Sequence, residues 1–327
     1  MKPLINKLLS GLAPIGVSIK QRKLVLCYHR FSAPGYQDSF YNPVSTMPVV
    51  ELEKQLIWLQ QFADIVTLDE LMNSHSDRWQ VAITIDDGYR DVVDLALPVF
   101  EQLKTPVTWF IATKPVEEPR WIPWWDMSAW IKHQTNGTFS TDNQSLSGEW
   151  DLSRHEHKEQ ISAALRSTAL FEGPLAAEQL VAEIVKHLTV PDNAFIRPDH
   201  LAEYRNSSIL TIAPHTHQHP NLALLSTDEQ RQEFSVSMNK LKQWNTNPQP
   251  WLAYPFGKEW ARSMGTPEIA RDLGFKAAFT TNIDFIEPET NSYTVPRISV
   301  DGRWNMAAFR ARAVFAPIQN RIKAQLK

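Results

Sequence analysis

The sequence predicts an α/β fold built on a parallel sheet, and three observations predict it. Short β-rich runs are apolar almost throughout rather than in alternation, as strands covered on both faces are. Segments of helical periodicity, with their own start and stop residues, separate these runs. One long stretch, residues 115–205, drops the strand signal and reads as helical. Strand alternating with helix belongs to an α/β barrel or to a doubly wound sheet, and the helical stretch then reads as an insertion in one strand-to-helix connection.

Taken in order, residues 1–22 form an N-terminal segment. Lys2 and Lys7 precede a mildly apolar stretch, Leu8 to Ile19, which superficially suits a signal peptide. Ser10, Gly11, Pro14, Gly16 and Ser18 break it, no small-x-small cleavage site follows, and it is too short to span a membrane. The expectation is a retained segment on a cytoplasmic protein. Leu24–Tyr28 is the first strand, and Val49, Leu52, Leu56 and Leu59 then recur at helical spacing. Ile65–Val66 is a short strand, followed by Thr67 and Glu70 spaced as a capping box that starts a helix. Val81–Ile85 and Val107–Ile111 are buried strands. Within the insertion two helical patterns dominate, near residues 155–170 and 176–188. Ile209–Ile212 resumes the strands, and Ser226 with Glu229 caps the next helix. Trp251–Tyr254 and Ala277–Thr280 are strands around a helix that Pro267 opens and Gly274 stops. Val295–Ile298 reads as the last strand. Residues 23–303 thus form one barrel-sized unit, with 304–327 as a basic C-terminal helix.

Composition bounds the function. With 327 residues, 43% hydrophobic and 21% charged, the chain has the make-up of a soluble protein with a well-buried core. A net charge of −3 offers no bulk basic surface for nucleic acid. Arg310, Arg312, Arg321, Lys323 and Lys327 make the last stretch locally basic, which suits a solvated amphipathic helix or a peripheral membrane contact. A single cysteine rules out an internal disulfide, and Cys27, inside an apolar run, reads as a core thiol.

Two motifs carry chemistry. In Thr84-Ile85-Asp86-Asp87-Gly88-Tyr89 a run of β-formers ends abruptly in two carboxylates and a glycine. Deep in a strand such neighbours face opposite ways, but at its C-terminal end a glycine lets both turn toward one point. That end is where barrels place catalytic groups. In His215-Thr216-His217-Gln218-His219-Pro220, three of the ten histidines fall within five residues. His215 and His219, four apart, would share one face of a helical turn. With a carboxylate from Asp86 or Asp87 they make two imidazoles and one acid, the donor set of a catalytic rather than a structural zinc. The insertion opens with Trp121, Trp124, Trp125 and Trp130, which suit either stacking on sugar rings or packing the insertion onto the barrel.

These residues resemble the polysaccharide deacetylases, the family that includes chitin and peptidoglycan deacetylases. Thr84-Ile85-Asp86-Asp87-Gly88 looks like its Thr-Phe-Asp-Asp-Gly motif, and His215-Thr216-His217-Gln218-His219 like its His-Ser/Thr-x-x-His motif. Tyr254-Pro255-Phe256-Gly257 is similar to its third, Arg-Pro-Pro-Tyr-Gly. The resemblance implies a distorted (β/α) barrel with a mostly helical insertion. It also implies metal-dependent removal of an N-acetyl group from an amino sugar in a polysaccharide, oligosaccharide or lipid-linked glycan. Asp86 would be the general base, and Asp87, His215 and His219 would hold a divalent metal, zinc first, with cobalt or nickel as alternatives. The Phe256 N–H would stabilise the oxyanion, and Thr216 would brace the ligand loop. His217 has no counterpart and reads as lying behind the ligands or facing solvent. Tyr89, Trp125, Phe256 and Arg297 are expected on the substrate side.

The chain departs from the pattern twice. The arginine of the third motif, which orients the base, falls at Ala253, and Arg297 is the candidate to replace it. The late Leu-x-His motif that supplies the general acid is missing after residue 280, whereas Cys27-Tyr28-His29-Arg30 closes the first strand. Relatives with permuted strand order open with such a Tyr-His motif, so His29 is nominated as the acid. A glycoside hydrolase would need carboxylates facing across a sugar, which adjacent Asp86 and Asp87 do not offer. An amidohydrolase would carry its His-x-His at the first strand. A non-catalytic carbohydrate-binding protein on the same fold is the alternative.

Overall fold

A computed structural model describes residues 22–74, 76–315 and 317. The N-terminal segment and the basic positions Arg321, Lys323 and Lys327 lie outside the described residues. Strand β1 (Lys23–Tyr28) pairs in parallel with β5 (Trp79–Ile85), which pairs with β6 (Val107–Ile111), which pairs with β9 (Leu210–Pro214). Strands β2 (Arg30–Ser32) and β3 (Thr46–Pro48) pair with each other in parallel, and the short β4 (Ala63–Ile65) lies along the first half of β5. Strands β5 and β6 are buried at every position, which is why their letters read as unbroken apolar runs.

The ring continues past β9. The Gln249 N–H donates to the Ile212 carbonyl, leading into β10 (Trp251–Ala253), which pairs in parallel with β11 (Ala277–Phe279). Phe279 bridges in parallel to Val295, and β12 (Ile298–Ser299) pairs with β1. The last strand therefore closes onto the first, and the sheet is a barrel distorted by weak pairing between β9 and β10. Its helices carry the expected signals. The Thr67–Glu70 and Ser226–Glu229 capping boxes are both closed, and Leu52, Leu56 and Leu59 of helix α1 (Val49–Gln60) are fully buried.

The insertion has a core of its own. Met127 and Ile131 from helix α2 (Trp124–His133), Ile161 and Leu165 from α3 (His155–Ser167), and Leu180 and Ile184 from α4 (Pro174–His187) pack together. The sequence reading of this region needs two corrections. It contains an antiparallel hairpin, β7 (Thr138–Thr141) with β8 (Gly148–Asp151), and a helix at Trp124–His133 that it did not single out. A polar clip joins the two ends of the insertion to the barrel. The Asn193 amide donates to the carbonyls of Pro115, Glu118 and Trp121, and Arg197 donates to that of Pro115. The Ile196 N–H then donates to the Gly88 carbonyl, so the end of the insertion is stitched to the Asp-Asp-Gly turn.

The start of the C-terminal helix packs on the barrel. Phe309 is fully buried, and the Arg310 guanidinium lies 5.3 Å from the centre of the Trp58 ring. Among the described residues no helix is long and apolar enough to cross a membrane.

Candidate active site

The two motifs sit on neighbouring loops at one end of the barrel, and the end of β6 holds both. The Ala112 N–H donates to the Asp87 carbonyl and the next amide, Thr113, to the Thr216 carbonyl. Asp87 (φ 78°) and Gly88 (φ 107°) are left-handed, which turns the Asp87 side chain off the strand toward the histidines.

His215 and His219 come together without a helical turn, contrary to the spacing argument. Thr216 (φ 66°) and His219 (φ 56°) are left-handed, so the segment is a bend, and a bend of five residues joins its ends as well as a helix does. The Thr216 hydroxyl accepts the His219 N–H at 3.1 Å. From helix α5 (Thr227–Gln243), the buried Glu233 carboxylate accepts the N–H groups of His217 and Gln218 at 2.8 and 2.9 Å.

Asp87 Oδ1 lies 3.7 Å from Nε2 of both His215 and His219. That is beyond hydrogen-bond reach, so no proton holds the three together. Donors around a tetrahedral ion with bonds of 2.0–2.1 Å sit roughly 3.3 Å apart, so only a small contraction is needed to share one. The protonation states agree. Burial lowers the His215 pKa to about 4 and takes His219 well below the ordinary value, leaving neutral imidazoles at neutral pH. Burial, with Asp86 alongside, raises the Asp87 pKa. His215 Nδ1–H donates to the Ala253 carbonyl at 2.8 Å, which selects the tautomer whose free Nε2 faces Asp87. The residues present therefore fit a divalent metal.

Asp86 faces the same space from a different footing. Arg297 grips both its oxygens at 2.7 Å and also donates to Thr84 Oγ1 and to the Thr280 carbonyl. Burial alone would raise the Asp86 pKa; Arg297 and then His215 outweigh it and hold the carboxyl far below the usual range. The Cys27 thiol, buried as expected, donates to Asp86 Oδ2 at 3.3 Å. A His29 ring nitrogen comes within 4.8 Å of Asp86, and burial lowers its pKa.

Of the four residues expected on the substrate side, two line a cleft beside His219 and two are buried. Trp125 and Phe256 line a cleft with Trp121, Trp124 and His219. Trp125 packs its ring 4.6 Å from that of His219. Phe256 is left-handed (φ 59°), and its N–H donates to no acceptor among the described residues. The turn requires Gly257, since a Cβ there would sit 2.5 Å from the Thr281 nitrogen. Arg297, by contrast, is fully buried under Asp86. Tyr89 is 1% exposed; its hydroxyl donates to Asp126 and accepts from the Trp125 indole, both at 2.7 Å. It steadies Trp125 rather than facing the cleft. Trp130 belongs to the core of the insertion. His217 is half-buried, with Nδ1 2.9 Å from Thr113 Oγ1.

Sequence reasoning passed over Glu233 and Asp126. Glu233 had a signal, since it falls with Gln230, Phe234, Ser237 and Leu241 on the buried stripe of its helix. Asp126 had none. It joins a buried group in which Arg30 pairs with Asp91 and Asp38 and lies 4.1 Å from the Tyr89 ring centre.

The model of the polysaccharide deacetylase family matches residues 74–278, more than half of the chain. No curated protein matches the chain. Among solved structures, the Streptococcus pyogenes deacetylase PplD in complex with acetate is similar at 17% identity and TM-score 0.57, covering 89% of this chain and 98% of its own. IcaB from Ammonifex degensii is similar at 18% identity and TM-score 0.57, covering 90% and 97%. The de-N-acetylase of Aggregatibacter actinomycetemcomitans follows at 14% identity and TM-score 0.55, covering 88% and 98%. At such identities the likeness shows a shared fold.

Proposed function

The chain belongs to the polysaccharide deacetylase family, enzymes that remove N-acetyl groups from glycans, and we propose that it is a metal-dependent deacetylase of a GlcNAc-type sugar. The observation that carries this reading is the pairing of two carboxylates in unlike environments. Asp87 faces two neutral imidazoles, and Asp86, its neighbour, rests on Arg297. Asp87, His215 and His219 hold the metal, with zinc the expected ion and cobalt or nickel able to replace it. Such an ion supplies Lewis-acid polarisation of the acetamide carbonyl and makes water nucleophilic at neutral pH.

The remaining roles fall to the chain's own groups. Arg297 keeps Asp86 ionised, so Asp86 accepts the proton of the attacking water, although the same pairing limits its basicity. The Phe256 N–H, with no acceptor among the described residues, donates to the oxygen that gains charge as the carbonyl becomes tetrahedral. His29, neutral at neutral pH and with a ring nitrogen within 4.8 Å of Asp86, takes up the proton that Asp86 received from the water and passes it to the amine as the C–N bond breaks. Acetate and the free amino sugar leave. The test is acetate release from N-acetylated chitooligosaccharides, with zinc or cobalt added, with chelator, and with Asp86→Ala. Metal-dependent release lost in the variant supports the reading. No release and no bound metal would instead indicate a carbohydrate-binding protein on this fold.

A further inference from the structure

The two imidazoles that face Asp87 are held in different ways. His215 donates its outer nitrogen to the Ala253 carbonyl at 2.8 Å, and Ala253 ends strand β10. His219 has no such bond. Its Nε2 faces Asp87, and its buried Nδ1 finds no acceptor on any other described residue. The His219 backbone N–H is tied to Thr216, but that bond leaves the ring to turn about its own side-chain torsions. A histidine that holds a metal almost always donates its second nitrogen, and that bond sets the orientation of the ring. Here packing must set it.

Three rings pack against His219: Trp125 at 4.6 Å, His215 at 4.8 Å and Phe256 at 5.1 Å between centres. Phe256 leans in turn on Trp260, which is 54% exposed. Trp125 comes nearest, and it is tied from outside the site. Its indole donates to the Tyr89 hydroxyl, and that hydroxyl donates to Asp126 Oδ1, both at 2.7 Å. The Tyr89 ring is itself fixed, stacked on Phe195 at 4.2 Å with the Arg30 guanidinium 4.1 Å from its centre. Arg30 is anchored by Asp91 and Asp38. A chain of contacts therefore runs from the barrel through Tyr89 to Trp125 and ends on the His219 ring. Trp125 and Asp126 are neighbours at the start of helix α2, so the insertion supplies two of its links.

We propose that Trp125, held by Tyr89 and Asp126, is the positioning residue for His219, doing by ring packing what a hydrogen bond does for His215. This rests on the reading of Asp87, His215 and His219 as the metal ligands, and it makes the insertion a determinant of metal affinity as well as a wall of the cleft. The test is the zinc affinity of the full chain, by competition with a chromophoric chelator. The visible absorption of the cobalt-loaded chain gives a second reading, because it follows the arrangement of the ligands. Tyr89→Phe keeps the ring between its neighbours and removes only the hydroxyl; it should weaken zinc about 10–100-fold and alter the cobalt bands. Should that variant fold poorly, Trp125→Ala, at a half-buried position, makes the same test with at least as large a loss. Asp126→Asn, whose amide oxygen still accepts from Tyr89, should stay close to the unaltered chain in both readings. Because Tyr89 acts through Trp125, adding Tyr89→Phe to Trp125→Ala should weaken zinc no further. Unchanged affinity in both single variants, additive losses in the pair, or an equal loss in Asp126→Asn overturns the positioning role. A full chain that binds no zinc overturns the metal centre and the role together. Zinc binding weakened in the expected pattern, without acetate release by the unaltered chain, supports the role and overturns the reaction.

Discussion

Arg297→Ala tests the central electrostatic claim, because it removes the one full positive charge that touches Asp86. Four hydrogen bonds go with it: two to Asp86 at 2.7 Å, one to Thr84 Oγ1 at 3.1 Å and one to the Thr280 carbonyl at 3.0 Å. Asp86, 2% exposed, is left with the Cys27 thiol as its hydrogen-bond donor. Breaking a buried pair by deleting one partner costs about 3–5 kcal/mol, because the stranded charge stays behind. The group escapes by binding a proton, and that reverses a sign. With Arg297 present, the folded pKa of Asp86 lies below its unfolded value. The carboxylate then contributes stability above the ordinary carboxylate range, and the contribution is lost as pH falls toward the folded pKa. Without Arg297, burial dominates and the folded pKa rises above the unfolded one. The folded state then holds the extra proton between the two values, so stability falls as pH rises. Urea unfolding at a series of pH values, for Arg297→Ala, Asp86→Asn and the double variant, reads both effects. The single arginine variant should lose about 3–5 kcal/mol at neutral pH, and the same change in the Asp86→Asn background should cost little or stabilise. Acetate release should fall about 10²–10⁴-fold, since a protonated Asp86 accepts nothing. An equal loss of stability in both backgrounds, or an unchanged pH slope, would refute the claim that Arg297 acts through Asp86.

His29→Ala should lower kcat about 10²–10⁴-fold with metal content unaltered; full activity at normal metal content would place the general acid elsewhere. Glu233→Gln keeps the size of the side chain but weakens the acceptor for the amides of His217 and Gln218. Chelator competition should show metal bound about 10–100-fold more weakly, and unchanged affinity would mean the loop holds itself. Burial lifts the Asp126 pKa to about 7, above its unfolded value, so this group lowers stability as pH rises from about 4 to about 7. Asp126→Asn should flatten that fall, by on the order of 3 kcal/mol at most, in melts compared at pH 5 and pH 8; an unchanged slope would contradict the assignment.

What the letters disclose is what is local in the chain. Thr84–Tyr89 and His215–Pro220 each follow a buried strand, so their donors could be placed at one end of a parallel sheet before any coordinates. The path between His215 and His219 is not legible in the sequence, because a spacing of four suits a helical turn and a bend equally. Left-handed backbone at Thr216 and His219 leaves no periodic trace, since neither residue type announces it. In the insertion, the strands Thr138–Thr141 and Gly148–Asp151 are four residues each, with Phe139 and Trp150 as their only large apolar residues, too little for alternation to register. Tyr89 illustrates a different limit. Its place after the Asp-Asp-Gly turn suggests a substrate contact, but its direction depends on Asp126 and Trp125, 37 and 36 residues away.

Arg297 carries the argument furthest. The sequence offers it both as a substrate-side residue and as the replacement for the arginine that orients the base, and the pairing of β12 with β1 puts its guanidinium, fully buried, beneath Asp86. The third motif would deliver its arginine from β10, where this chain has Ala253, whose carbonyl instead orients His215. A closed barrel sets both strands around one axis, so a charge can reach the space beneath Asp86 from either side. Residues that serve the base are therefore found by asking which strand ends face it around the ring, and distance along the chain is a poor guide to them.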